Sequence, residues 1–323
     1  MRRSRALNSE VQLWTVPEDR AGQRIDNLLM ARLKGVPRSR IYRMLRKGEV
    51  RVNKRRCKAD YRVEAGDLIR IPPVELAPEK RAPSIPRRLM AKIERSIIAE
   101  GDGWIALNKP SGVAVHGGSG LQFGVIEVLR AIPGLSKTSI ELVHRLDRDT
   151  SGILLIATKR SRLRWLHQQL RQGTMRKTYQ CIVHGRWPRE VQSVDFAIVP
   201  RTRTGGERIM KAVAATTTEH AAKPALTHYR LIAQRGQFAW LEAMPVTGRT
   251  HQIRVHCAAM GCPIIGDDKY RTDKHLKEIE KSKGIDRLGL HAWKLSFLEK
   301  ENGNRIEICA DLPELWRTLG GAK

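Results

Sequence analysis

The chain is short of acidic residues, and that shortage is the first informative thing about it. Against 60 Lys and Arg stand only 33 Asp and Glu in 323 residues, a formal net charge of +27 and a sequence pI near 10.6. Such an imbalance points to a polyanionic partner, because neutralising phosphates releases condensed counterions. Other shortages narrow the class further. No apolar run is long enough to span a bilayer, and no strongly amphipathic basic helix ends the chain, so nucleic acid is expected rather than a membrane. The start, Met1-Arg2-Arg3-Ser4-Arg5, is basic but lacks the apolar stretch of a secretory signal. The five cysteines (Cys57, Cys181, Cys257, Cys262, Cys309) form no CxxC pair. That spacing argues against a zinc site and against a disulfide framework, and fits reduced thiols in a cytoplasmic protein. No glycine-rich loop of the kind that cradles phosphates is present, and no internal repeat.

At this length the chain is expected to hold two domains. Residues 1 to about 12 are polar and are expected to fray. From residue 16 to 74 the pattern is that of a small basic module. Gly22 to Asp26 leads into Leu28, Leu29 and Leu33 at helical spacing, and Gly35-Val36-Pro37 stops that helix. Ser39 is the expected N-cap of a second helix burying Ile41, Met44 and Leu45, with Gly48 as its stop. Two alternating runs, 50–53 and 68–71, read as strands. Residues 20–74 carry 16 Lys and Arg against 5 Asp and Glu. Arg40, Arg43, Arg46 and Lys47 recur at spacings that put most of them on one helix face, and Lys54, Arg55 and Arg56 follow in a loop. These seven are the candidate phosphate contacts, although a charge run can also be no more than a solvated face. Pro72, Pro73, Pro78, Pro83 and Pro86 then mark a semi-rigid linker, taken as residues 75–90.

From 91 to 323 the chain becomes rich in strand-like runs, expected at 104–108, 178–183, 226–233, 238–244 and 295–297. Helices are expected over 123–132 and 159–171, the latter stopped by Gly173. This order fits an α+β fold around a mainly antiparallel mixed sheet. The stretch 204–222 reads as a loop.

The most informative string is Val143-His144-Arg145-Leu146-Asp147-Arg148-Asp149-Thr150-Ser151-Gly152, followed by the apolar run Ile153 to Ala157. In an extended segment Asp147 and Asp149 share a face. Asp149-Thr150-Ser151-Gly152 is a turn-forming sequence, which gives Asp149 a local structural task. Asp147 has none. A carboxylate flanked by cations beside an apolar core is a candidate catalytic group, or else an ion pair at a strand end.

This string resembles the HRLDxxTSG signature of the RluA-type family of RNA pseudouridine synthases. Lys177-Thr178-Tyr179 resembles that family's K-x-Y element, Gly248 to His256 its GRTHQIRVH element, Leu288 to Ala292 its LxLHA strand, and Lys109-Pro110-Ser111-Gly112 its KPxG turn. The resemblance runs from about residue 96 to 316. The basic module in turn resembles the S4 RNA-binding domain, and the combination is most similar to the RluC-type large-subunit ribosomal RNA enzymes. The resemblance implies a pseudouridine synthase fold and conversion of uridine to pseudouridine in RNA. It implies Asp147 as nucleophile, Arg254 as its ion-pair partner and Tyr179 as the aromatic group packed on the target base. Arg145 would fill the space left by the extruded uridine, and Lys109 and Arg148 are assigned with it to RNA contact.

The chemistry is consistent with these residues. Exchanging the N-glycosidic bond of uridine for a carbon–carbon bond at C5 consumes no redox equivalent and no phosphate, so no cofactor is expected. It needs a carboxylate held by an arginine, a slot that excludes water, and a uridine taken out of its stack. Attack at C1′, attack at C6 and a glycal route all remain compatible with the sequence. His251 and His256 sit five apart, but no Asp or Glu lies in that stretch, so no metal is expected. Two rival readings exist. Asp147-Arg148-Asp149-Thr150 with Gly266-Asp267-Asp268 and Asp273 resembles the acidic motifs of haloacid-dehalogenase-type, Mg²⁺-dependent phosphatases, but there the apolar strand precedes the first Asp, whereas here it follows. The charge alone would also suit a non-catalytic RNA-binding or assembly protein. The protein is expected to act as a monomer on ribosomal RNA.

Overall fold

The computed structural model describes residues 10–33, 35–74, 84–118, 123–136, 138–203 and 206–320. The chain divides into two compact units, Met1–Ser84 and Ile85–Lys323. In the first, strand β1 (Gln12–Thr15) precedes helices α1 (Ile25–Arg32) and α2 (Arg38–Lys47) and strands β2 (Arg51–Val52) and β3 (Leu68–Ile71). The strands form an antiparallel sheet in the order β1-β3-β2. The helix–helix–strand order was expected, but β1 was not. Polar Gln12 and Thr15 hide a segment whose backbone is claimed by β3, with Gln12 opposite Ile71 and Thr15 opposite Leu68. Helix α2 starts one residue before Ser39, behind Pro37, whose fixed φ of −58° suits a helix entry. Gly48 ends it in the left-handed region, φ 70°. Ile25, Leu28, Leu29, Ile41, Met44, Ile69 and Ile71 make the core. The buried Asp26 ties the helices together, accepting from Arg24 and from the Tyr42 hydroxyl at 2.9 Å.

In the second unit, α3 (Arg87–Glu94) comes first. The range read as linker is thus partly helical: residues 75–83 lie outside the described residues, while 87–90 belong to α3. Pro86 stands at the N-cap, where a proline costs no hydrogen bond, so it initiates the helix rather than excluding it. There follow β4 (Ile97–Gly101), β5 (Trp104–Lys109), α4 (Val125–Ala131), β6 (Glu141–Leu142), β7 (Ser151–Ala157), α5 (Arg160–Gln172), β8 (Arg176–His184) and β9 (Ser193–Val194). The remainder is β10 (Ala197–Thr202), β11 (Arg208–Val213), β12 (Thr227–Arg235), β13 (Phe238–Pro245), α6 (Gln252–Ala259), α7 (Lys274–Ser282), β14 (Leu290–Leu298) and β15 (Arg305–Cys309). A ten-stranded sheet runs β4-β5-β7-β14-β8-β13-β12-β9, with β6 beside β7 and β15 beside β14. The pairs are antiparallel except β7 with β14. This is the expected α+β fold with a mixed, mainly antiparallel sheet.

Strand β7 explains its own sequence. All seven residues are buried, as a strand covered on both faces requires. Leu154 and Ile156 pack with α3 and α4 through Ile93, Val125 and Leu129. Ile153 and Leu155 pack with Leu166 of α5 and Phe297 of β14. Two local readings need correction. Ser151 and Gly152 lie inside the strand rather than in a turn, with Gly152 at φ 105°. The stretch 204–222, read as loop, contains β11, which pairs with β10 along its length.

At Gly152 strand β7 lies against the backbone of β14 with no room for a side chain. A Cβ there would sit 2.2 Å from the Ala292 carbonyl oxygen and 2.6 Å from its nitrogen. The Ala292 backbone, paired within the sheet, cannot yield, and the positive φ adds strain of its own. Gly152→Ala is therefore expected to destabilise the second unit by about 2–5 kcal/mol, read as a fall in the denaturation midpoint. A midpoint within one degree of wild type would show that the strands can part at no cost.

Candidate active site

Asp147 lies in the segment between β6 and β7, Tyr179 on β8 and Arg254 on α6. The central strand order β7-β14-β8 sets their separation: Gly152 faces Ala292, and Ala292 faces Tyr179. Close approach at Gly152 thus brings the Asp147 segment towards the Tyr179 ring. Arg254 Nη1 donates to Asp147 Oδ2 at 3.3 Å. The three residues picked from the sequence line one cleft of about 610 Å³, within the range of small-ligand sites. Arg145, Arg171, Lys177, Arg249 and Arg254 supply cations to this cleft, and Asp147 is its only carboxylate among the described residues. A second cleft, about 790 Å³, adjoins it and shares Arg145, Leu146, Asp147, His251 and Arg254.

The strongest partner of Arg254 is not Asp147. Asp267, with a fully buried carboxylate, accepts Arg254 Nε and Nη2, each at 2.8 Å. Burial works against the guanidinium charge, but the bonds to Asp267 and the charges of Asp267 and Asp147 more than offset it, and the Arg254 pKa rises. Asp267 Oδ1 also accepts the backbone N–H groups of Lys269 and Tyr270. Sequence reasoning saw Asp267 only within an acidic motif. An Asp saturated by an arginine fork and a turn is no metal ligand, which removes the structural basis of the phosphatase reading. Among the described residues no group of three or more His, Cys, Asp and Glu is arranged to hold a metal ion. His256, one of the two histidines weighed as ligands, is buried between Thr227 Oγ1 and the Phe196 carbonyl.

Lys109, read as an RNA contact, has another task. It is 0% exposed, and its ammonium donates to the carbonyls of Pro110, Val113 and Arg148 at 2.8–2.9 Å. Burial pushes its pKa down to about 7, against the pull of Asp149 and Asp147. The lysine thus ties the turn after β5 to the segment carrying Asp147, and Ser111 Oγ donates to the Asp149 carbonyl beside it. Arg148 is exposed and pairs with Asp149 at 3.0 Å, so the local task of Asp149 is an ion pair with its neighbour rather than the turn expected of it. Arg145 is exposed and borders both clefts. His144 carries no positive charge near neutrality. Its Nε2 accepts the Leu155 N–H, and burial drops its pKa to about 3. Tyr179 packs between two core clusters, and burial, then the nearby Asp147 charge, raises its pKa.

In the first unit Arg43, Arg46, Lys47, Lys54, Arg55 and Arg56 are exposed. Arg40 is partly buried and paired with Glu49 at 2.8 Å, so it is the least available of the seven.

The cleft thus joins an anionic side chain held by a buried arginine, a tyrosine and several cations. The chain belongs to the pseudouridine synthases. The family pattern described as RNA pseudouridylate synthase matches residues 103–259, and the S4 domain matches residues 23–69. Over 99% of its length the chain is 47% identical to the ribosomal large subunit pseudouridine synthase C of Pasteurella multocida (strain Pm70), covering 96% of that protein. It is 48% identical to the protein of the same name from Escherichia coli (strain K12), over 94% of each chain. Among solved structures, Human RNA Pseudouridylate Synthase Domain Containing 4 superposes with a TM-score of 0.58 at 26% identity, covering 72% of this chain and 94% of that one.

Asp267→Asn removes the negative half of a buried fork while leaving the shape. It is expected to cost about 3–5 kcal/mol of stability, the usual penalty for stranding one member of a buried pair, and to reduce turnover because Arg254 loses its fixed orientation. Urea denaturation and a turnover assay check both. A loss under about 1 kcal/mol would mean that Asp147 alone can hold the arginine.

Proposed function

We propose that this protein converts uridine to pseudouridine in large-subunit ribosomal RNA, with Asp147 as the nucleophile. The observation that carries this reading is the Asp147–Arg254 pair facing Tyr179 in a cleft lined by cations. Its support is the near full-length similarity to relatives named for this activity. In the isomerisation the N1–C1′ bond breaks and a C5–C1′ bond forms. C5 gives up its proton and N1 gains one, so no oxidant and no phosphate donor enters the balance. Arg254 orients the carboxylate, Tyr179 supports the extruded base, and the buried strands behind the cleft keep bulk water away. Arg145, exposed at the junction of the two clefts, is suited to occupy the stack that the uridine leaves. The mechanism calls for neither metal nor cofactor.

The first unit is read as the module that supplies affinity by tracking the RNA backbone through Arg43, Arg46, Lys47, Lys54, Arg55 and Arg56. The chemistry belongs to the second unit. A cytoplasmic, monomeric enzyme fits a ribosomal RNA substrate. No helix among the described residues is long and apolar enough to cross a membrane.

Asp147→Asn is expected to abolish pseudouridine formation and leave RNA affinity nearly unchanged, because binding energy is spread over many phosphate contacts. Turnover on a ribosomal RNA fragment and a filter-binding titration test the two halves, and retained turnover would remove Asp147 from the chemistry. Changing Arg43, Arg46 and Lys47 together to Gln should weaken binding. It should also flatten its salt dependence by about 0.7–0.9 log units for each phosphate no longer neutralised, with much less effect on turnover at saturating RNA. An unaltered slope would make this face merely solvated. A collapse of saturated turnover would mean that the module positions the uridine.

A further inference from the structure

The two oxygens of Asp147 have unequal surroundings. Oδ2 receives Arg254 Nη1 at 3.3 Å and faces His251 Nε2 at 3.7 Å. Nothing among the described residues donates to Oδ1. His251 is itself held in an uncommon way. It sits at the N-cap of α6 with φ 56°, in the left-handed region, so its ring leaves the helix axis and turns to the cleft. Its Nδ1 lies 2.6 Å from the Tyr270 hydroxyl, and the two rings meet edge to face with centroids 5.5 Å apart.

The direction of these hydrogen bonds follows from a third partner. The Met210 backbone N–H donates to the Tyr270 hydroxyl oxygen at 3.1 Å. That donor leaves the hydroxyl proton free to go to His251 Nδ1. With Nδ1 accepting, the neutral ring carries its proton on Nε2, the atom aimed at Asp147. Burial lowers the His251 pKa against the pull of Asp147, so the neutral tautomer is the relevant one. Tyr270 is anchored through its backbone N–H to Asp267 Oδ1, the oxygen that also accepts Arg254 Nη2. Its ring lies under the Arg254 guanidinium, 5.1 Å from centroid to Cζ. One buried carboxylate therefore organises both groups that converge on Asp147 Oδ2.

We propose that His251, set in its Nε2–H tautomer by Tyr270, is a positioning residue that holds Asp147 Oδ2 together with Arg254, so that Oδ1 is the oxygen presented to the uridine. At 3.7 Å the His251 contact is longer than a hydrogen bond, and a shift of less than about 1 Å in either side chain brings Nε2 into donating range of Oδ2. This inference rests on Asp147 being the nucleophile.

The test compares kcat and KM on a ribosomal RNA fragment for wild type, Asp147→Asn, Tyr270→Phe, His251→Ala, His251→Gln and the Tyr270→Phe/His251→Ala double variant. Phenylalanine keeps the ring under Arg254 and removes only the hydroxyl. Glutamine keeps an N–H donor at about the reach of Nε2. Tyr270→Phe and His251→Ala should each lower kcat about tenfold, the scale of removing one charge-assisted hydrogen bond, with KM changed less than about twofold. His251→Gln should recover most of the activity. The double variant should be no slower than His251→Ala, because the tyrosine acts through the histidine. Unchanged kcat in the single variants, a Gln variant as slow as the Ala variant, or effects that multiply in the double variant would each overturn the assignment. If Asp147→Asn remained active, the reading of Asp147 itself would fail. If it were dead while the other variants turned over like wild type, only the present inference would.

Discussion

The fork between Arg254 and Asp267 is the constraint on which the rest of the site depends. Burying an arginine and a carboxylate costs several kcal/mol each unless the geometry is good and the remaining polar atoms are satisfied. Here two 2.8 Å bonds meet that condition, and Asp267 Oδ1, besides accepting Arg254 Nη2, accepts two backbone N–H groups. A guanidinium has five N–H donors in a rigid plane. Once Nε and Nη2 are committed to Asp267, the plane is fixed and Nη1 points in one direction only, at Asp147. A lysine in place of Arg254 could hold one carboxylate but could not be aimed at a second by the first. The longer distance to Asp147 follows from the same hierarchy: Asp267 holds the arginine, and the arginine steers Asp147 without saturating it.

The opposite side of Asp147 is held just as firmly, by backbone rather than by charge. Lys109 gathers three carbonyls from two segments, and one of them is the Arg148 carbonyl, next to Asp147 in the chain. Just downstream, Ser151 Oγ bonds the buried His291 of β14 at 2.7 Å and takes a further bond from Arg287. With Gly152 allowing β7 to approach β14, the chain on both sides of Asp147 is fixed. Such fixing is what makes electrostatic catalysis effective, because groups already oriented need no reorganisation during the reaction. The cost appears as a cluster of polar groups that the core must satisfy, and as buried groups such as Lys109 and His144 held far from their ordinary ionisation behaviour.

How much of this the sequence disclosed depended on the range of the interaction. Short-range signals carried well. Gly48 and Gly173 end their helices in the left-handed region as glycines do, and the apolar run after Gly152 is a doubly buried strand. Asp147, Tyr179 and Arg254 were picked out because each lies in a distinctive string, and the fold brings all three to one cleft. What stayed hidden depended on partners far along the chain. Nothing near Asp267 announces that its partner is Arg254, and the adjacent Asp268, which is exposed, made the pair look like a metal-binding cluster. Lys109 looked like any cation in a turn, because only the fold brings the Arg148 carbonyl to it. Strand β1 and the β10–β11 hairpin were missed for a related reason. A strand whose side chains are half polar is defined by the neighbour that takes its backbone bonds, which a local pattern does not contain.

The same distinction governs the charge. A net +27 correctly points to a polyanion, but it says nothing about which cation does what. Lys109 is buried against carbonyls, Arg254 serves two carboxylates, Arg40 is taken by Glu49, and Arg24 by Asp26. Lys109 and Arg254 are committed inside the fold and the other two are shared with carboxylates, although all enter the formal sum. Exposed cations occur on α2 and in the loop after β2, and also at the cleft itself, where Arg145, Arg171 and Arg249 are exposed. A surface cation further than about a Debye length from a carboxylate hardly alters the field there, whereas the field at Asp147 is set by groups at hydrogen-bonding range such as Arg254. Solvent thus screens the exposed cations, while burial protects the charges of the Arg254–Asp267 fork.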